Sequence, residues 1–229
     1  LYRNQGNLLF QHSSLSLGIA AVGSMYVGWG TACFDHDLDG HEEIFVSNGH
    51  VVRFPERAPV MQTPVLLRQV SGPRFFNVAP QAGGYFQESH HGRGAACGDL
   101  NGDGRIDLAI SRNNQPISIL ISQPTDPGHW CAMELVGTRS TRDPIGATVR
   151  LRTSHGDQYR QFIGGGSYAS THSRRLHFGL GQADAVVEVQ VDWPSGASQV
   201  FRDLAIDAVT LIVEPTTDAD DGWQLPLPS

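Results

Sequence analysis

Asp35, Asp37 and Asp39 stand at every second position of a short stretch closed by Gly40, and Glu43 follows at the ninth position. The pattern returns as Asp99, Asn101 and Asp103, then Gly104 and Asp107. Alternate residues of a tight turn can point inward together, while glycine takes the positive-φ corner that a Cβ would hinder. Oxygen donors then converge, with the backbone carbonyl of His41 or Arg105 at position 7 completing each set. Carboxylates about 4 Å apart repel by several kcal/mol at an effective dielectric of about 20, so such a loop packed without a cation is expected to be loosened. Calcium accepts 6–8 oxygens in flexible geometry and suits the loop better than magnesium, which demands a tight octahedron. An EF-hand is excluded, because its bidentate Glu at position 12 is replaced by Val46 in one loop and Ile110 in the other. The competing reading is a metal-free turn built from Asp, Asn and Gly. Two copies in register, each with an acidic ninth residue, favour metal. The run from Asp218 to Gly222 has the wrong spacing and reads as a solvated tail.

Other residues that could do chemistry fall short of a catalytic constellation. All sixteen basic residues are arginine, so Schiff-base lysines and Walker-type phosphate loops are excluded. Gly165-Gly166-Ser167-Tyr168-Ala169 lacks the last glycine of a nucleophile elbow and reads as a tight β-turn. His172 and His177, near Arg174 and Arg175, read as polar residues beside a turn rather than acid–base partners. Cys33, Cys97 and Cys131 read as small buried apolar residues; a Cys33–Cys97 bridge and a zinc site joining Cys97 to His90 or His91 are the alternatives. Gly28-Trp29-Gly30 and Gly92-Arg93-Gly94 lack a third glycine and read as turns leading into strands. Trp193 is expected to cap a core, and a sugar-stacking role for Trp29 or Trp193 is the alternative.

The elements that position the loops come in two copies. Gly28 to Asp35 aligns with Gly92 to Asp99, 64 residues on, and Leu1-Tyr2-Arg3 resembles Leu66-Leu67-Arg68 with a one-residue slip. Each copy reads as short strands around its loop: Thr31–Phe34 in, Glu43–Ser47 out, and Ile117–Ile121 added in the second. Two such units over residues 1–125 suggest propeller blades, although two blades cannot close a ring. A turn-rich boundary at Gln123–Gly128 precedes a second β domain over 129–214, a sandwich or barrel. There Ala147, Val149 and Leu151 alternate with polar neighbours, as do Val187, Val189, Val191 and Trp193. Residues 215–229, bearing proline and clustered Asp, read as a mobile tail.

With 40% hydrophobic and 17% charged residues the chain is globular, and its net charge of −7 with scattered arginines argues against nucleic acid. No apolar run reaches the roughly 18–20 residues a membrane helix needs. The sequence begins at Leu1 without a charged and apolar leader, the pattern of a fragment or processed chain.

These residues carry a family resemblance. The repeats resemble FG-GAP/VCBS propeller blades, whose calcium loops read D-x-D-x-D-G-x-x-D. The second domain resembles the ASPIC/UnbV domain through His129-Trp130, Val136 to Ala147, Gly164 to Tyr168, Arg175 to Gly181 and Trp193 to Gly196. Glu43 departs from the usual Asp, and Thr141 from a frequent Asn. The resemblance implies an all-β chain in an extracellular or cell-envelope setting. The expected function is a calcium-binding, non-catalytic binding or adhesion module with a protein or glycan partner. An enzyme or accessory domain acting on carbohydrate or in secondary metabolism is the rival, and it requires a deep pocket with convergent titratable groups in the second domain.

Overall fold

The structure is a computed structural model and describes residues 1–52, 56, 58–70, 72–123, 128–217 and 223–227, the side chains of 223 and 224 excepted. The expected boundary turn at 124–127 and the Asp run at 218–222 lie outside the described residues. The chain is all-β, with two short α-helices and one 3-10 turn among the described residues. It opens with the hairpin β1 (Tyr2–Asn4) and β2 (Phe10–His12), followed by α1 (Ile19–Gly23). A four-stranded antiparallel blade follows: β3 (Gly28–Phe34), β4 (Glu43–Asn48), β5 (Val65–Gln69) and β6 (Phe75–Asn77). After α2 (Gly84–Gln87) comes a three-stranded blade of β7 (Gly92–Gly98), β8 (Asp107–Arg112) and β9 (Gln115–Leu120).

The two blades share one apolar core in which Phe45 and Ile110 are fully buried, and they stand side by side as neighbouring propeller blades do. Their first strands, β3 and β7, face each other. A Cβ on Gly30 would fall on the backbone of Arg93 to Ala95, so the close approach of these strands requires glycine there. This corrects the reading of the Gly-x-Gly pairs as turns: both lie inside strands, and their small size serves strand-to-strand contact.

The second domain begins with β10 (His129–Val136) and continues through β11 (Thr148–Thr153), β12 (Gly156–Gln161), β13 (Gly166–Ser167), β14 (Ser170–Thr171), β15 (Leu176–Gly181), β16 (Glu188–Asp192), β17 (Ser198–Phe201), β18 (Ala208–Val213) and β19 (Trp223–Leu227). Two four-stranded sheets, β15-β10-β18-β19 and β12-β11-β16-β17, close on one core, which decides sandwich over barrel. Ala147, Val149, Leu151, Val189, Val191 and Trp193 are buried as the alternation predicts. Val187 is exposed instead, because β16 starts one residue later and Val186 takes the buried place. Trp193 donates its indole N–H to Gln199 at 2.6 Å within this core, which removes it as a sugar platform.

Part of the segment expected to be mobile is a strand. β19 pairs antiparallel with β18, with Pro226 opposite Thr210. Proline lacks a ladder donor and is tolerated on an edge strand, so composition alone misjudged this stretch.

Candidate metal loops at the junction of the two domains

The first loop joins β3 to β4. Asp35, nearly fully buried, accepts the amide of Asp39 at 3.1 Å and that of Gly40 at 2.8 Å. Asp39 accepts the amide of His41 at 2.8 Å. Gly40 sits at φ 90°, the corner predicted for it. One carboxylate oxygen from each of Asp35, Asp37 and Asp39 lies within 4.8 Å of the others, and Asp37, Glu43 and His36 make an overlapping group. Glu43 is buried and accepts the amide of His36 at 3.1 Å and its ring N–H at 2.7 Å. Arg68, reaching from β5, forms ion pairs with Asp37 and, at 3.1 Å, with Asp39, while its Nε lies 3.6 Å from Glu43.

The electrostatics of this loop are unbalanced. Burial pushes the Asp35 carboxyl up to about 7; the Gly40 amide offsets part of this, and the charges of Asp39, Glu43 and Asp37 add to it. Asp37 is also raised, first by burial and then by Glu43 and Asp39. Burial alone would lower His36, but its hydrogen bond to Glu43 and that charge outweigh burial and raise it. The Oδ1 atom of Asp37 is buried with no hydrogen-bond partner. An orphaned oxygen among carboxylates spaced by about two Ca–O bond lengths of roughly 2.4 Å fits a divalent cation.

The second loop repeats the backbone geometry with different use of its acids. Asp99 accepts the amides of Gly102, Asp103 and Gly104, and Gly104 lies at φ 80°. Asp103 accepts the Arg105 amide at 2.9 Å and the Asn101 side-chain amide at 2.8 Å, and it pairs with the Arg105 guanidinium. Asp107 accepts the amide of Leu100 at 2.9 Å and of Ser122 at 2.8 Å. The ninth residue therefore latches the amide of position 2 in both loops, a role the spacing did not reveal. Among the described residues, Asp99, Asp103 and Asp107 are not drawn together as the first loop's acids are.

Both loops dock on the same strand of the second domain, β15. The carbonyl of Leu38 accepts the Gly181 amide at 2.7 Å, and the Gly104 carbonyl accepts the His177 ring N–H at 2.8 Å. A Cβ on Gly179 would overlap the Asp35 carboxylate and the Leu38 backbone, and one on Gly104 would overlap the indole of Trp130. Trp130 stacks on His177 with centroids 5.6 Å apart, and burial holds that imidazole down to about 4, hence neutral at neutral pH. Leu38 takes φ 63° with a fully buried side chain, where the second loop has Gly102. Its contacts with the second domain offset the strain of that conformation.

The Gly165 to Ala169 turn has the form expected of it: β13 and β14 are a two-residue hairpin. The hairpin lies along the blades' first strands, with the Thr31 amide donating to Ser167 at 3.1 Å and the Cys97 amide to His172 at 3.2 Å. Tyr168 meets Trp29 edge-on at 4.7 Å, and the Arg93 guanidinium covers that indole at 4.5 Å. These long-range partners had no signal in the sequence.

A cleft of about 140 Å³ opens at the junction, lined by Cys33, Cys97, Arg160, His172, Arg175 and His177 among others. Cys97 Sγ lies 3.4 Å from His172 Nδ1. Burial pushes the Cys97 thiol up to about 12 and lowers His172, so the pair is held neutral, unlike an activated thiolate. The three cysteines are free thiols; Cys131 is buried as expected, Cys97 is partly buried and Cys33 is exposed, which corrects the reading of all three as buried. His90 turns to the Tyr85 carbonyl and His91 to the His50 carbonyl, so the zinc site with Cys97 is not assembled.

Blade-type repeats packed on a two-sheet domain define the class: a propeller-like unit joined to a β-sandwich domain. Residues 137–219 match the family described as ASPIC and UnbV. The chain is homologous to cartilage acidic protein 1. It is 29% identical to the Homo sapiens protein over 203 residues, covering 86% of this chain and 29% of that protein. Identity to the Mus musculus protein is 28% over 184 residues, covering 79% of this chain and 27% of the relative. The Xenopus tropicalis protein is 32% identical over 109 residues, covering 46% and 16% respectively. The chain thus spans less than a third of the length of these relatives. Among the described residues, no helix is long and apolar enough to cross a membrane.

Proposed function

We propose that the chain is a calcium-stabilised, non-catalytic binding or adhesion module of an extracellular or cell-envelope protein. In this reading a cation gathers the acids of each loop, and the loops hold the blades against β15. The rigid surface that results meets a protein or glycan partner. One observation carries the reading: both acidic loops sit at the domain junction, the first through Leu38 and the second through Gly104. The orphaned Asp37 oxygen and the raised Asp35 carboxyl support a cation in the first loop. The donors of the second loop suit one too, once Asp103 turns from Arg105. Similarity to cartilage acidic proteins supports the extracellular and non-catalytic parts, and the neutral Cys97–His172 pair agrees with them.

Thermal unfolding in EDTA, then in calcium or magnesium, tests the reading on the wild type and on Asp37→Ala with Asp103→Ala. An extracellular-type site with Kd on the order of 10⁻⁴ M gains about 1.8 kcal/mol per site in about 2 mM calcium. In a chain of this size that is about 4–7 °C. A calcium-selective shift that disappears in the double variant is expected. The absence of any shift in the wild type would refute the calcium reading.

A further inference from the structure

One difference between the two loops lies on the third strand of each blade. In the first blade Ile44 is opposite Leu67, so Glu43 at the loop's end faces Arg68. In the second blade Leu108 is opposite Leu120, and Asp107 faces Ile121. The first loop therefore meets a guanidinium where the second meets an apolar side chain that is 43% exposed. Arg68 engages Asp37 and Asp39 with one nitrogen and lies beside Glu43 with another. Arg105, inside the second loop, pairs among the described acids with Asp103 alone and spends its Nε on the Ser122 carbonyl at 3.2 Å.

We propose that Arg68 is a placeholder cation of the first loop, competing with a divalent ion for Asp37 and Asp39 and holding the loop's acids together without one. The proposal rests on the calcium reading above. A guanidinium directs its donors at carboxylates within a plane, whereas a divalent ion draws oxygens to a single centre, so the two cannot satisfy Asp37 and Asp39 together. Calcium entering at the orphaned Asp37 oxygen must displace Arg68 or share its carboxylates at the expense of like-charge repulsion. The second loop has no such competitor from its third strand.

Calorimetric titration with calcium, one loop disabled at a time, tests this. With Asp103→Ala leaving the first loop, adding Arg68→Ile is expected to strengthen calcium binding by about tenfold or more. With Asp37→Ala leaving the second loop, adding Ile121→Arg is expected to weaken it by a similar factor. In EDTA, Arg68→Ile should melt below the wild type, and calcium should close or reverse that gap. Ile121→Arg changes an exposed side chain, so it remains informative if Arg68→Ile fails to fold. Affinities within about twofold of their parents in both pairs would overturn the proposal while leaving the calcium reading standing. Absence of calcium binding in every protein, wild type included, would overturn both.

Discussion

Replacement of Glu214 tests whether a single buried carboxylate organises the loops at one end of the second domain. Its Oε2 accepts three consecutive amides, Thr138 at 2.8 Å, Arg139 at 2.8 Å and Ser140 at 2.7 Å, while Oε1 accepts the hydroxyls of Ser140 at 2.8 Å and Ser195 at 2.5 Å. Burial by itself would raise this carboxyl, but the hydrogen bonds from Ser195, Ser140 and Thr138 outweigh burial and hold it down to about 2. A fall from the ordinary 4.5 to about 2 corresponds to about 3 kcal/mol favouring the ionised, folded form. Because the folded value is depressed, this stability is present above pH 4.5 and is lost as the pH falls toward 2. Glu214→Gln keeps the shape and removes the charge, so it should lose about 2–3 kcal/mol at pH 7. Glu214→Ala leaves five donors without their acceptor and should lose about 3–5 kcal/mol. Urea unfolding at pH 7, 5 and 3 measures both. The gap between wild type and Glu214→Gln should be full at pH 7 and shrink steadily below pH 4.5. Equal stability at pH 7, or a gap as wide at pH 3 as at pH 7, would refute the reasoning.

Two further outcomes follow from the junction. Leu38→Ala should destabilise the chain by about 2–5 kcal/mol through the lost burial, whereas Leu38→Gly should do no worse than Ala, because the residue sits at φ 63° where glycine is unstrained; denaturant unfolding of the three proteins gives the comparison. Cys97, whose thiol burial raises to about 12, should react with a maleimide at pH 7.5 at least about thirtyfold more slowly in the native chain than after unfolding, and site-resolved labelling by mass spectrometry would reveal a fast native thiol if the reasoning were wrong.

Much of the architecture was legible locally. The Asp-rich turns, their glycine corners and the strands leaving them are written in contiguous residues, because turn chemistry and period-two alternation act within a few positions. The alternation of Val149 and Leu151 with polar neighbours showed the buried face of β11 directly. Where the readings failed, distant chain had intervened. The Gly28-Trp29-Gly30 and Gly92-Arg93-Gly94 runs became strands because two remote segments press together there. Trp223–Leu227 became a strand because β18 presented an open edge. Cys97 met His172 rather than His90 or His91, its neighbours in sequence.

The sequence by itself determined that two acidic loops exist, which oxygens each can offer and that strands flank them, since all of this follows from residue type and short spacing. Only the tertiary structure decided what the loops touch. It brought Arg68 onto the first loop, turned Glu43 and Asp107 into latches for backbone amides, and set both loops against β15. Strand register and domain docking place those partners, and both depend on burying apolar surface drawn from the whole chain, which no short stretch of residues encodes.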